Sequence, residues 1–182
     1  GKAIFTRWRN RGNTGPRSIV ARDLGSGREK ELYRAASPAR VAHLGVSPDG
    51  QRLAFVWWDP KEGTTAVKVI STSGGEAREL LKLPAAQLSG YGQPVFALAW
   101  TPDSRHIIYA PSTAGQKHRF ELWRISADGG EPQNLGLAME GLSLYGLSVH
   151  PDGRRIAFTA GTPRRSEVWV LENFLPPLKD GN

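Results

Sequence analysis

Short apolar runs, four to six residues long and rich in Val, Ile, Phe, Tyr and Trp, recur along the chain in sets. Polar turn residues separate them. Three sets can be laid over one another. Leu44-Gly45-Val46, Leu98-Ala99-Trp100 and Leu147-Ser148-Val149 each lead into a Pro-Asp turn. The turns are Ser47-Pro48-Asp49-Gly50, Thr101-Pro102-Asp103-Ser104 and His150-Pro151-Asp152-Gly153, at spacings of 54 and 49 residues. A second run follows each turn: Leu53-Ala54-Phe55, Ile107-Ile108-Tyr109 and Ile156-Ala157-Phe158. A third comes later: Val67-Lys68-Val69-Ile70, Leu122-Trp123-Arg124-Ile125 and Val168-Trp169-Val170-Leu171. In the two middle sets it runs into Gly74-Gly75-Glu76 or Gly129-Gly130-Glu131. A short fourth run follows, near residues 77–81 and 132–135.

Runs of this length and composition, bounded by Pro, Gly and Asp, predict β-strands. No segment keeps apolar residues at helical spacing over three turns, so no long helix is expected. In the tetrapeptide, Pro presets φ, Gly takes positive φ, and the carboxylates of Asp49, Asp103 and Asp152 can accept backbone N–H groups and cap the turn. Four strands in a repeat of about 40–50 residues is the pattern of a β-propeller blade. The expected fold is therefore all-β: a partial β-propeller of about four blade-like antiparallel sheets. The first 38 residues fit the same frame with its opening missing, because Lys2-Ala3-Ile4-Phe5 aligns with Arg52-Leu53-Ala54-Phe55 and Gly1 stands where Gly50 and Gly153 stand. The whole chain, 1–182, reads as one propeller fragment. Its blades are 1–38 (inner strand missing), 39–90, 91–141 and 142–182 (outer strand missing). Gly45, Ala99 and Ser148 share one place on the first strand of their blades, where blades converge, and should face a neighbouring blade or a channel.

Composition narrows the chemistry. With no cysteine among 182 residues, disulfides, Cys-ligated metals and Cys nucleophiles are excluded. His43, His106, His118 and His150 lie in different repeats without metal-ligand spacing, and the turn aspartates come one per repeat, so no metal or cofactor is expected. Neither a Gly-x-Ser-x-Gly nucleophile elbow nor a Gly-x-x-x-x-Gly-Lys phosphate loop occurs, and no catalytic residue is assigned. No apolar run approaches the 18 or more residues of a membrane span. The start at Gly1, with one Met in the whole chain, suggests a piece of a longer protein.

Charge is distributed unevenly. In a propeller the loops between second and third strands open on one face, here residues 7–17, 59–65, 111–119 and 161–166. Those loops carry +4, −1, +2 and +2, which is the chain's entire formal excess of +7. The residues that stand out are Arg9, Arg11, Arg17, Lys117, Arg119, Arg164 and Arg165, with Trp8 and Trp58 at strand-to-loop edges as aromatic contacts. A one-sided positive field accelerates encounter with an acidic partner. A protein partner or an acidic ligand is therefore expected on this face. Nucleic acid is not, since no recognised binding motif accompanies the charge.

The three Pro-Asp turns, each followed by an apolar triplet, together with Ser126-Ala127-Asp128-Gly129-Gly130-Glu131-Pro132, resemble the TolB-type, WD-repeat-like β-propellers of bacteria. The resemblance covers nearly the whole chain. It implies a non-enzymatic binding or sensing module in a periplasmic or extracytoplasmic setting. It implies, alternatively, the gating propeller of a prolyl oligopeptidase-type serine hydrolase whose catalytic domain is absent. Such propellers have six or more blades, so missing N-terminal blades or a second copy of the chain are expected to complete the ring.

Overall fold

The computed structural model describes residues 1–7, 17–83, 96–111, 119–140, 143–162 and 165–172. Among them are fourteen β-strands and no helix. Among the described residues no helix is therefore long and apolar enough to cross a membrane. The strands form four antiparallel sheets. The first holds β1 (Lys2–Arg7), β2 (Ser18–Asp23) and β3 (Glu29–Arg34). The second holds β4 (Arg40–Val46), β5 (Arg52–Asp59), β6 (Thr64–Ser71) and β7 (Arg78–Leu83). The third holds β8 (Phe96–Trp100), β9 (His106–Pro111), β10 (Arg119–Ser126) and β11 (Gln133–Glu140). The fourth holds β12 (Ser143–Val149), β13 (Arg155–Thr162) and β14 (Arg165–Glu172). Within each sheet the strands pair in sequence order, and β8 packs against both β4 and β12. The first strands of these sheets thus meet on the inside, as blades do around a propeller axis.

The core lies in the layers between sheets. Alternation along β5 shows why. Leu53 and Phe55, with Val41 of β4 beside them, point to the first sheet, where they join Ile19, Ala21 and Leu32. Ala54 and Val56, with Val67 of β6 beside them, point to the third, where they join Phe96, Trp100, Ile107 and Tyr109. The other face of the third sheet, Ile108, Ala110 and Phe120, packs with Ile156 and Phe158 of the fourth. A strand covered on both faces reads as a continuous apolar run, which is what Leu53-Ala54-Phe55-Val56 is.

The Pro-Asp turns close the first two strands of the last three sheets. Gly50 and Gly153 take φ of 72° and 71° there, as the turn demands. Ser104 occupies the same position at φ 59°, although it is not glycine. The fourth strands run further than the sequence suggests, to Leu83 and Glu140, the latter through an irregularity between Glu121 and Trp123. At the far end β14 is an edge strand. Val168 (74% exposed) and Val170 (59%) face outward because no sheet among the described residues lies beyond them. Trp169 lies on the other face of β14, across from Phe158, and is 41% exposed on this edge strand.

Candidate ligand-binding face

The two ends of the sheets differ chemically. At the hairpin-turn end the polar groups satisfy one another. Oδ1 of Asp49 accepts the Gln51 N–H at 2.9 Å and the Ser47 hydroxyl at 2.6 Å. Oδ1 of Asp103 accepts the Arg105 N–H at 2.9 Å and the Thr101 hydroxyl at 2.5 Å. Oδ1 of Asp152 accepts the Arg154 N–H at 2.9 Å, while its other oxygen meets Arg155. Hydrogen bonds to the charged form lower a carboxyl pKa. The Arg154 N–H brings Asp152 down to about 2. The Ser47 hydroxyl leads the lowering at Asp49. At Asp103 partial burial works upward and is outweighed by the Thr101 and Arg105 donors.

The same end also ties sheet to sheet. Lys30 Nζ donates to the Ser73 carbonyl at 2.6 Å, and Arg78, at the equivalent place one blade on, donates to the Ala127 carbonyl at 2.5 Å. Asp128 receives both Arg52 (3.2 Å) and Arg78 (3.3 Å). The Asp49 N–H donates to Ser104 Oγ at 3.1 Å, and Arg52 Nη2 donates to the Ser104 carbonyl. Further in, Trp100 Nε1 donates to the Gly45 carbonyl at 2.8 Å, with the Arg52 guanidinium 5.4 Å from the Trp100 ring centroid.

At the opposite end lie the second-to-third-strand loops. Arg9, Arg11, Lys117, Arg164 and Trp8 fall outside the described residues. Arg165 opens β14 opposite Thr162, and its side chain is likewise outside them. Two expectations are corrected. Arg119 is not a loop residue: it begins β10, and its guanidinium is matched by Glu121 at 3.0 Å and Glu140 at 3.2 Å, so it adds little to a free positive field. Trp58 is not an exposed aromatic contact. It is 6% exposed, held between Arg40 and Thr65 in the register of β4, β5 and β6, because the strand end is covered from both sides.

Arg17 sits where the loop enters β2. Its carbonyl accepts the Ala35 N–H at 2.8 Å, which draws it toward the crossover into β4. That crossover delivers Arg40, only 7% exposed, whose Nη1 donates to the Pro38 and Ala39 carbonyls. Across the sheet from Arg40 is Trp58, and the next residue, Asp59, is 9% exposed. Oδ1 of Asp59 accepts the N–H groups of Lys61 (2.8 Å) and Glu62 (3.2 Å) and so closes the loop after β5. Burial, then the nearby charge of Arg17, lower the Arg40 pKa, and Asp59 opposes them. Sequence reasoning singled out neither Arg40 nor Asp59 as a site residue. The available signal was a charge flanked by apolar strand residues, Ala39-Arg40-Val41 and Trp57-Trp58-Asp59.

Comparison with known proteins agrees with this architecture. Residues 9–159 match the lipoprotein LpqB β-propeller domain. The chain is 31% identical over 109 residues to the uncharacterized peptidase YuxL of Bacillus subtilis (strain 168), a match covering 59% of this chain and 14% of that protein. Among solved structures it superposes on a putative TolB from Agrobacterium tumefaciens with a TM-score of 0.69 at 15% identity, covering 95% of this chain and 58% of that one. It superposes on a prolyl endopeptidase with a TM-score of 0.63 at 15% identity, covering 99% of this chain and 27% of the enzyme. The chain thus spans only a fraction of the length of its relatives. It has the TolB-like propeller fold and belongs to the lipoprotein LpqB β-propeller domain family.

Proposed function

We propose that the chain is a non-enzymatic binding or sensing module that engages a protein or an acidic ligand through the loop end of its sheets. The observation that carries this reading is the contrast between the two ends. At the turn end Arg52, Arg78 and Arg155 are matched to Asp128, Asp152 and backbone carbonyls. At the loop end the sequence concentrates Arg9, Arg11, Arg17, Lys117, Arg164 and Arg165. Missing blades, or a second copy of the chain, complete the ring. The exposure of Val168 and Val170 on an edge strand supports a covering partner. The direct experiment is fluorescence anisotropy with a labelled polyglutamate peptide at low and at physiological salt. Binding that weakens with salt, and weakens again when Arg9, Arg11 and Lys117 are changed together to Gln, supports the reading. Binding indifferent to both refutes it.

A second reading has its own support. The match to the peptidase YuxL, and the superposition on a prolyl endopeptidase, fit the gating propeller of a serine hydrolase. The chain itself carries no Gly-x-Ser-x-Gly elbow, so the nucleophile would come from another segment. Reading the frame beyond residue 182 decides: an α/β-hydrolase sequence there favours the enzyme.

A further inference from the structure

We propose that the open edge of β14 docks one extended strand of a protein partner, with a basic or amide residue, an acidic or amide residue, a leucine and an apolar residue in that order. The inference goes beyond the loop-end reading, because it uses another surface and backbone pairing in place of charge. Three sheets show what belongs on this edge. In each, the third strand is paired by an outer one: β2 by β3, β6 by β7 and β10 by β11. β14 holds the same place in its sheet, and among the described residues no strand pairs its outer side. Alternation fixes where its donors point. The N–H groups of Leu24, Thr72 and Ala127, one place in the repeat, donate to Gly1, Gln51 and Arg105, away from the outer strand. The Asp23 N–H, one residue earlier, donates to Arg28 on the outer-strand side. Glu172 corresponds to Asp23, so the N–H groups of Val168 and Val170 aim at the open edge and those of Trp169 and Leu171 at β13.

The outer strands also agree in sequence and register. They run Lys30-Glu31-Leu32-Tyr33, Arg78-Glu79-Leu80-Leu81 and Gln133-Asn134-Leu135. The first residues pair with Ala21, Val69 and Arg124, and the second with Val20, Lys68 and Trp123. At the third residue, a leucine each time, the register shifts. Leu32 and Leu80 have no residue opposite, and residues 135–137 of β11 face Leu122 alone. A β-bulge in the same place in three sheets pins the register and re-aims the side chain. Each of these leucines packs toward the following sheet. The corresponding places on β14 are Val170, Trp169 and Val168. Ile19, Val67 and Leu122, the counterparts of Val168, are at most 1% exposed, whereas Val168 is 74% exposed. An added strand therefore sets its first residue opposite Val170, beside the exposed Glu172, where a cation is favoured. Its leucine falls on the face of Val168. Residues 173–182 do not carry this pattern, and Pro176-Pro177 offer no N–H to a ladder, so the strand is a partner's.

The test is amide hydrogen exchange by NMR on the isotope-labelled chain, alone and with a peptide copy of Arg78–Leu83. In the free chain at low concentration the Val168 and Val170 amides should exchange fast and those of Trp169 and Leu171 slowly. The peptide should slow Val168 and Val170 saturably, by about tenfold or more, and leave Trp169 and Leu171 unchanged. The same peptide with Leu80 omitted cannot form the bulge, and its midpoint should be about tenfold higher. Val168 and Val170 amides that are slow in the free chain at every concentration would show the edge filled from within the chain and overturn the site. Protection that rises with protein concentration alone would make a second copy the occupant and overturn the partner strand. Absence of protection by the peptide would also overturn it. Equal protection by a scrambled peptide, or by the one lacking Leu80, would overturn the sequence pattern. The loop end holds or fails separately, because polyglutamate binding is measured by anisotropy and does not involve these amides.

Discussion

Gly45 is where the packing of one blade on the next can be tested most sharply. A Cβ built there would stand 3.1 Å from Leu98 Cδ1 and 3.5 Å from Trp100 Cδ1, both on β8 of the adjoining sheet. Its φ lies outside the left-handed region, so only space restricts the position. For Gly45→Ala two effects oppose each other. The unfolded chain loses freedom, which stabilises by about 0.4–1 kcal/mol. Leu98 must yield by a few tenths of an ångström, which a terminal methyl on a half-buried side chain can do. The variant should fall within about 0.5 kcal/mol of wild type.

Gly45→Leu is a different perturbation. Three further carbons enter a gap that barely admits one, and overpacking of this kind costs about 1–3 kcal/mol. If β4 and β8 move apart, the 2.8 Å bond from Trp100 Nε1 to the Gly45 carbonyl is lost as well, which adds about 1 kcal/mol. A total of about 2–4 kcal/mol corresponds to a fall in melting temperature of roughly 5–15 °C for a domain of this size. Thermal unfolding by circular dichroism measures it. Leu98→Ala in the Gly45→Leu background should recover at least about 1 kcal/mol relative to the sum of the single changes, since it removes the methyl in the way. A Gly45→Leu protein that melts with wild type, or two changes that simply add, would refute this packing of β4 on β8.

Three more outcomes are expected. Ser104→Ala removes the acceptor for the Asp49 N–H and should destabilise by about 1–2 kcal/mol; Ser104→Gly loses the same bond but relieves φ 59°, so in urea unfolding it should be the milder of the two. Asp152, at about 2 in the fold against an ordinary 3.8, has a lowered pKa, so its contribution is present above 3.8 and is lost as pH falls through about 2; Asp152→Asn should flatten that part of an acid titration of the melting temperature, and an unchanged acid limb would count against it. Val168→Lys with Val170→Lys should leave the melting temperature nearly unchanged and reduce self-association in sedimentation, because both side chains stand on the exposed face of an edge strand; unchanged association would clear β14 of that role.

How legible was this in the sequence? The strands and their order were, because a period of two and a Pro-Asp turn are local signals. Even Ser104 announced itself, standing where its two counterparts are glycine. What escaped depended on partners distant along the chain. Trp58 looks like a strand-to-loop residue, yet it is buried between Arg40 and Thr65, which arrive from β4 and β6. Arg119 looks like a free loop cation, but Glu140 lies 21 residues away on a strand whose length the short apolar run at 132–135 understates. The equivalence of Gly45, Ala99 and Ser148 was visible, but their surroundings were not. Gly45 is pressed by Leu98, whereas Ser148 is exposed, because the fourth sheet has no described neighbour on its far side.

The asymmetry of the two ends separates stability from binding. At the turn end the aspartates, Ser104, Arg52, Arg78 and Asp128 are hydrogen-bonded to one another or to the backbone of the next sheet. A polar group already paired gains little by trading its partner for a ligand, since the exchange is nearly balanced in free energy. Substitutions there should move the melting temperature and leave any ligand affinity intact. At the loop end Arg17 has a buried Nε with nothing to bond to. Removing its guanidinium takes away a desolvated, unsatisfied donor, so the fold should lose little stability while ligand affinity falls. The two ends therefore give opposite signatures under one pair of measurements, melting and ligand titration. Arg78→Ala should lower the first alone, and Arg17→Gln the second alone. If Arg17→Gln instead unfolds the protein as readily as Arg78→Ala, Arg17 belongs to the framework, and the contrast between the ends disappears.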